Sequence, residues 1–151
     1  FYMFMNLSAF YMAIYMSTSY NADNIDDWNG IGKKAPVLSF FMVLSLASLA
    51  GLPPTSGFIG KVYVLRNLFS DGQFLWLGLV AIINTVISLY YYFKIVKAMY
   101  FMKNDDLEVK TCCPYLYWII IIFSAQNIIF YIYWEPIWKL LESIIKSMGI
   151  I

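Results

Sequence analysis

The chain has 151 residues, 62% of them hydrophobic and 13% charged, with a net charge of +1 and no histidine. Soluble domains carry roughly 25% charged residues, so this composition excludes an ordinary soluble domain. The near-neutral balance also excludes a nucleic-acid partner, which needs clustered cations. Without histidine, the chain lacks the commonest metal ligand and the usual neutral-pH general base. The length would suit one globular domain, but the apolar residues come in blocks long enough to cross a hydrocarbon core of about 30 Å. An all-α integral membrane protein is therefore expected.

Phe1 to Tyr20 is uncharged and rich in Phe, Met, Tyr and Ala. Twenty residues at about 1.5 Å each reach about 30 Å, enough for one crossing (span 1–20). The positive leader and small-residue cleavage site of a signal peptide are missing. With no initiator methionine, the chain reads as the tail of something larger or as one piece of a split protein. Loop 21–35 is polar, with Asp23, Asp26, Asp27, Lys33 and Lys34, and with Gly30 and Gly32 as turn formers. Pro36 suits the first turn of the next helix.

Pro36 to Phe69 (span 36–69) would run about 51 Å as one continuous helix. That exceeds the hydrocarbon thickness by about 20 Å, more than tilt absorbs. An interruption at Gly51–Gly57 resolves the mismatch. There Pro53 and Pro54 remove backbone donors, flanking glycines let the chain reshape, and Thr55 and Ser56 add polar groups. Freed backbone groups inside a bilayer are tolerated only where protein or a water-filled cavity satisfies them. Ala47 and Gly51 also form a small-xxx-small face for close helix approach.

After the turn Ser70-Asp71-Gly72, a third span runs over 74–102, with Tyr90, Tyr91, Tyr92 and Tyr100 suited to an interfacial aromatic belt. Polar loop 103–114 follows, holding Asp105, Asp106, Glu108 and Lys110. Its Cys112 and Cys113 are adjacent, not spaced as a metal-binding or disulfide pair. A fourth span covers 115–134. In the remainder to residue 151, Ile137, Leu140, Leu141, Ile144 and Ile145 oppose Lys139, Glu142 and Lys146, the spacing of an amphipathic helix lying along the interface. Glu135-Pro136 marks the boundary, with Pro136 starting that helix. Loop 21–35 and region 94–113 hold six of the ten basic residues. The positive-inside rule puts both in the matrix or cytoplasm, with turn 70–73 and the C-terminus outside.

Lys61 is the first candidate for chemistry. An amine buried in low dielectric can load and release protons near neutral pH; the competing reading has Lys61 and Arg66 snorkelling to the interface from a helix end. Asn84, Thr85 and Ser88 share one face of span three, where they either hydrate a proton path or bond between helices. Lys94 and Lys97 are read as channel lining or as interfacial anchors, and Asn6 and Ser8 as polar lining or helix packing. No carboxylate falls inside a span, so a proton path must lean on Lys61 and water. No phosphate-cradling glycine loop and no nucleophile–base pair is visible. Metal and cofactor sites are therefore expected to be none in this chain.

The string from Ser45 to Lys61, SLASLAGLPPTSGFIGK, resembles the signature region of the antiporter-like membrane subunits of respiratory complex I, NADH:ubiquinone oxidoreductase. Gly30 to Pro36 resembles the loop before that helix, and Ser88 to Lys94 the end of the next one. With Asn6 to Phe10, these matches extend over roughly the first 100 residues; the last 50 resemble the family only in hydropathy. The double proline and the lysine after Gly60 are most similar to the subunit N branch, called subunit 2 in mitochondria.

The resemblance implies a fourteen-helix fold with two inverted five-helix repeats, each with one broken helix. This chain would cover its last four helices: three of the second repeat in 1–114, and the terminal crossing with the interfacial helix in 115–151. Lys61 would be a protonatable member of a central hydrophilic axis whose other members, a glutamate and lysines on earlier helices, have no counterpart here. Another chain would then supply the missing helices, beside other complex I membrane subunits and lipids, with flavin and iron–sulfur clusters in partner subunits. The abundance of Phe, Tyr, Ile and Met resembles proteins of AT-rich mitochondrial genomes, which implies the mitochondrial inner membrane, with a bacterial energy-transducing membrane as the alternative. The expected function is proton translocation coupled to NADH:ubiquinone oxidoreduction. The alternatives are a cation/proton antiporter or membrane-bound hydrogenase subunit of the same superfamily, or a purely structural subunit whose break is a packing kink.

Overall fold

The computed structural model describes residues 2–70, 74–102 and 114–147. Positions 71–73 of the short turn and 103–113 of the second polar loop, with Cys112 and Cys113, lie outside the described residues. Among those described there are seven α-helices and no strand: α1 (Tyr2–Tyr20), α2 (Ile31–Lys34), α3 (Pro36–Ala50), α4 (Ser56–Ser70), α5 (Leu75–Phe101), α6 (Pro114–Ile132) and α7 (Trp134–Ser147). A 3-10 turn, Ile25–Trp28, lies inside the first polar loop. Pro36 occupies the first turn of α3, where its missing N–H costs nothing. Pro136 sits within the first turn of α7, which starts two residues earlier, at Trp134.

Two of the described helices, α5 and α6, are long and apolar enough to cross a membrane. Helices α3 and α4 have 15 residues each, about 22 Å apiece, so neither reaches across a core of about 30 Å by itself.

Helices α1, α3 and α6 pack against one another and form the centre, with α4 and α5 against α3 and α7 following α6. The shared interior holds Met12, Met16, Met42, Leu46 and Ile120, joined at the loop end by Trp28, Ile31 and Met99. Methionine's unbranched thioether fills the irregular gaps that three crossing helices leave. The rest of the interior is unusually polar, with Ser8, Ser19, Ser39, Ser45, Ser48, Ser56, Ser124 and Asn127 all buried. The outside is correspondingly apolar, with Phe10, Phe40, Leu79, Ile83, Val86 and Ile122 exposed. Small hydroxyls between helices and aliphatics outside are what lipid selects, because apolar burial drives no association there.

The first polar loop is tied down by its own contacts. The Trp28 indole is buried and its Nε1 donates to the Ala22 carbonyl at 3.1 Å, while the Gly30 amide donates to the Ala98 carbonyl of α5 at 3.2 Å. At the opposite end, α7 leans on α4 through Tyr63, whose ring centroid lies 5.3 Å from Trp134 and 5.2 Å from Trp138. Trp28→Ala should cost about 3 kcal/mol by opening a cavity under the loop. Thermal unfolding of the purified assembly should show the loss, with Trp28→Phe losing less.

Candidate functional site: a lysine caps the carbonyls that two prolines leave open

Helix α3 ends in a Schellman-type turn. Gly51 takes a left-handed conformation (φ 79°), its amide donates to the Ser48 carbonyl at 3.0 Å, and the Leu52 amide donates to the Ala47 carbonyl at 2.9 Å. Two of the four terminal carbonyls of the helix are thereby satisfied. The other two belong to Leu49 and Ala50. In a continuous helix they would accept from the amides of residues 53 and 54, but Pro53 and Pro54 have no N–H to give. Lys61 supplies both donors: its Nζ lies 3.0 Å from the Leu49 carbonyl and 2.7 Å from that of Ala50. The amine also sits at the negative end of the α3 dipole, where a cation is favoured.

The chain returns quickly after the prolines. The Thr55 hydroxyl donates to the Leu52 carbonyl at 2.6 Å, and α4 begins at Ser56. Its first turn lies so close to α3 that a Cβ on Gly57 would fall 1.8 Å from the Ser48 carbonyl oxygen. A Cβ on Gly51 would fall 2.6 Å from Lys61 Cδ. Both positions therefore need glycine, the first for backbone approach and the second for its φ and for the lysine stem beside it.

A cavity of about 480 Å³ opens along this face, lined by Tyr2, Met5, Ser48, Ser56, Lys61 and Thr85 among others. Lys61 is half-buried and reaches back towards α3. The structure thus sets Lys61 beside Gly51 and lines one cavity with Ser56, Gly57, Lys61 and Thr85 of α5, with Pro53, Pro54 and Thr55 forming the link between α3 and α4. Asn84, Ser88 and Lys94 lie elsewhere. Asn84 is exposed, the Ser88 hydroxyl donates to the Asn84 carbonyl at 2.8 Å, and Lys94 lines a second cleft with Lys97 and Asp26 near the loop end of α5. Asn6 Nδ2 donates back to the Tyr2 carbonyl of its own helix.

Ser8 and several residues not singled out from sequence complete the site from behind. Ser8, Ser45 and Ser124 bring their hydroxyls together: Ser8 is hydrogen-bonded to Ser45, and Ser124 lies 3.0 Å from Ser8 and 2.9 Å from Ser45. One turn on, Asn127 of α6 meets Ser48 and Ser56, each hydroxyl 3.2 Å from its Oδ1. The signal was present in the sequence as Ser124, Gln126 and Asn127, a polar cluster in a mostly apolar span. Among the described residues no three His, Cys, Asp or Glu side chains gather as a metal site would require.

A helical bundle with an apolar exterior and buried hydroxyls, two of whose helices are long and apolar enough to cross a membrane, belongs by class with the membrane proteins. Residues 1–88 match the family model described as NADH:quinone oxidoreductase/Mrp antiporter, transmembrane, and the chain belongs to that family. It is 35% identical to NADH-quinone oxidoreductase subunit N 2 of Chloroherpeton thalassium over 98% of this chain and 30% of the relative. It is 36% identical to NADH-quinone oxidoreductase subunit N of the Wolbachia of Brugia malayi over 93% of this chain and 32% of the relative. The chain thus spans about a third of the length of these curated relatives. Its fold resembles a chain of respiratory complex I from Thermus thermophilus with bound aureothin, with a TM-score of 0.59 at 22% identity, covering 72% of this chain and 25% of that one.

Gly57→Ala should destabilise the α3–α4 junction by about 2 kcal/mol, the cost of forcing one methyl into a close-packed contact. The amount of assembled membrane complex after mild solubilisation should fall, and Gly51→Ala should lower it as well.

Proposed function

We propose that this chain is the C-terminal part of a subunit N-like membrane-arm protein of an NADH:quinone oxidoreductase, and that Lys61 exchanges protons there during translocation. The reading is carried by one observation: the Lys61 amine rests on two carbonyls of an interrupted helix, facing a cavity. In this reading the chain makes four crossings. Helices α1, α5 and α6 each form one, and α3 and α4 together form the broken second. Helix α7 lies along the interface, residues 1–114 belong to the second antiporter-like repeat, and 115–151 close the fold. Another polypeptide or chain segment supplies the earlier helices that complete a fourteen-helix fold, with other membrane-arm subunits and lipids around it. Flavin and iron–sulfur clusters belong to partner subunits, and the site is the mitochondrial inner membrane or its bacterial equivalent.

The chemistry asked of Lys61 is simple. Protonated, it holds both carbonyls strongly; neutral, it still has hydrogens to donate but no charge to balance the helix dipole. Each proton moved across the membrane works against about 2.3 kcal/mol per 100 mV, so coupling elsewhere in the complex must supply at least that. In this reading the proton reaches Lys61 through the cavity that it shares with Thr85. A second reading is a cation/proton antiporter subunit, favoured by the Mrp antiporters that share the family model. Co-purification with subunits that oxidise NADH separates the two, since an antiporter instead gives Na⁺/H⁺ exchange without them.

Lys61→Arg provides the test because guanidinium keeps the donors and the charge but does not deprotonate. The assembled complex should form and oxidise NADH, while proton uptake into reconstituted vesicles should fall severely. Lys61→Met should lose pumping too, and should assemble less well because the Leu49 and Ala50 carbonyls lose their donors. Pumping at the wild-type ratio by the arginine variant would show that Lys61 is a cap and nothing more.

A further inference from the structure

We infer that Asn127 is a positioning residue for Lys61: it clamps the two halves of the interrupted helix together from α6 and so fixes where the lysine amine sits. This rests on the reading of Lys61 as the proton-exchanging group and assigns a second residue to the same site.

The Asn127 side chain is 2% exposed, and its amide orientation is dictated by its neighbours. Nδ2 lies 3.3 Å from the Phe123 carbonyl and 3.2 Å from the Ser124 carbonyl. Carbonyls only accept, so the nitrogen must face them and Oδ1 must face the other way. That oxygen meets the Ser48 hydroxyl of α3 and the Ser56 hydroxyl of α4, each at 3.2 Å. One acceptor therefore takes hydrogen bonds from both sides of the break. Ser48 also receives the Gly57 amide on its hydroxyl oxygen at 3.3 Å, which adds a direct tie between the two half-helices. The Ser48 hydroxyl has one hydrogen, and Met5 Sδ is also within reach at 3.0 Å. A carbonyl oxygen is the better acceptor, so Asn127 takes it.

Ser48 immediately precedes Leu49 and Ala50, whose carbonyls hold Lys61. Ser56 opens the helix that carries Lys61 five residues later. Fixing Ser48 against Ser56 therefore fixes the distance between the amine and its two acceptors. With the clamp broken, α6 no longer joins the end of α3 to the start of α4 through one shared acceptor. The amine is then free to trade its carbonyls for cavity water.

The test uses the assembled complex in vesicles, with three variants beside the wild type and Lys61→Arg. Asn127→Leu keeps the volume and removes the shared acceptor; Ser56→Ala removes one of its two donors; the third variant combines them. An interhelical hydrogen bond of average strength in a membrane corresponds to roughly a three-fold shift in population. The expected result is a lowered proton-to-electron ratio and a displaced pH profile of pumping in Asn127→Leu. Ser56→Ala should show a smaller change of the same kind, and the double variant no more loss than Asn127→Leu alone. If Asn127→Leu does not assemble, Ser56→Ala carries the reading. The clamp is overturned if Lys61→Arg abolishes pumping while Asn127→Leu and Ser56→Ala keep the wild-type ratio and pH profile. It is equally overturned if the losses are independent, or if only the amount of complex falls. Normal pumping by Lys61→Arg would instead remove the proton-exchange role itself.

Discussion

Two backbone carbonyls and one ammonium group organise this structure. A helix crossing lipid must satisfy every carbonyl, because each one left open costs several kcal/mol. Pro53 and Pro54 withhold the amides that Leu49 and Ala50 would have used, and the lysine seven residues beyond the second proline returns both donors. The interruption and the cation are therefore one arrangement. The turn after α3 leaves two acceptors open, and the lysine amine supplies their donors.

That exchange explains the glycines on either side. Lys61 reaches the α3 carbonyls only if α4 folds back tightly against α3, which demands bare backbone at Gly57 and room for the lysine stem at Gly51. It also explains why, among the described residues, the buried polar side chains are hydroxyls and an amide, with no carboxylate among them. A buried carboxylate would pair with Lys61 and hold its proton in place, whereas serine and asparagine satisfy the junction without competing for the charge. Individually these bonds are weak, commonly under about 1 kcal/mol between membrane helices. Their value lies in geometry: Ser8, Ser45 and Ser124 register α1, α3 and α6, and Asn127 registers both halves of the break.

Much of the architecture could be read directly from the chain. Helices stand at 2–20, 75–101 and 114–132, and the last two are long and apolar enough to cross a membrane, since hydropathy and helix length are local properties. Where one interrupted span is expected over Pro36–Phe69, the structure has two separate helices, α3 ending at Ala50 and α4 starting at Ser56, with the paired prolines between them. The first polar loop was less legible, because its 3-10 turn and α2 depend on Trp28 and Gly30 finding Ala22 and Ala98.

The sequence by itself determined which residues form helices, where two backbone donors go missing, and that a lysine lies within reach. These follow from residue chemistry and spacing along one chain. Tertiary structure alone decided which carbonyls the lysine answers, that Thr85 joins its cavity while Asn84 and Ser88 do not, and that Asn127 stands behind the junction. The reason is that a side chain's partners across helices depend on the rotation and register of neighbouring helices. In a membrane, where aliphatic faces gain nothing by meeting one another, those are settled by a few interior hydroxyls scattered widely in sequence.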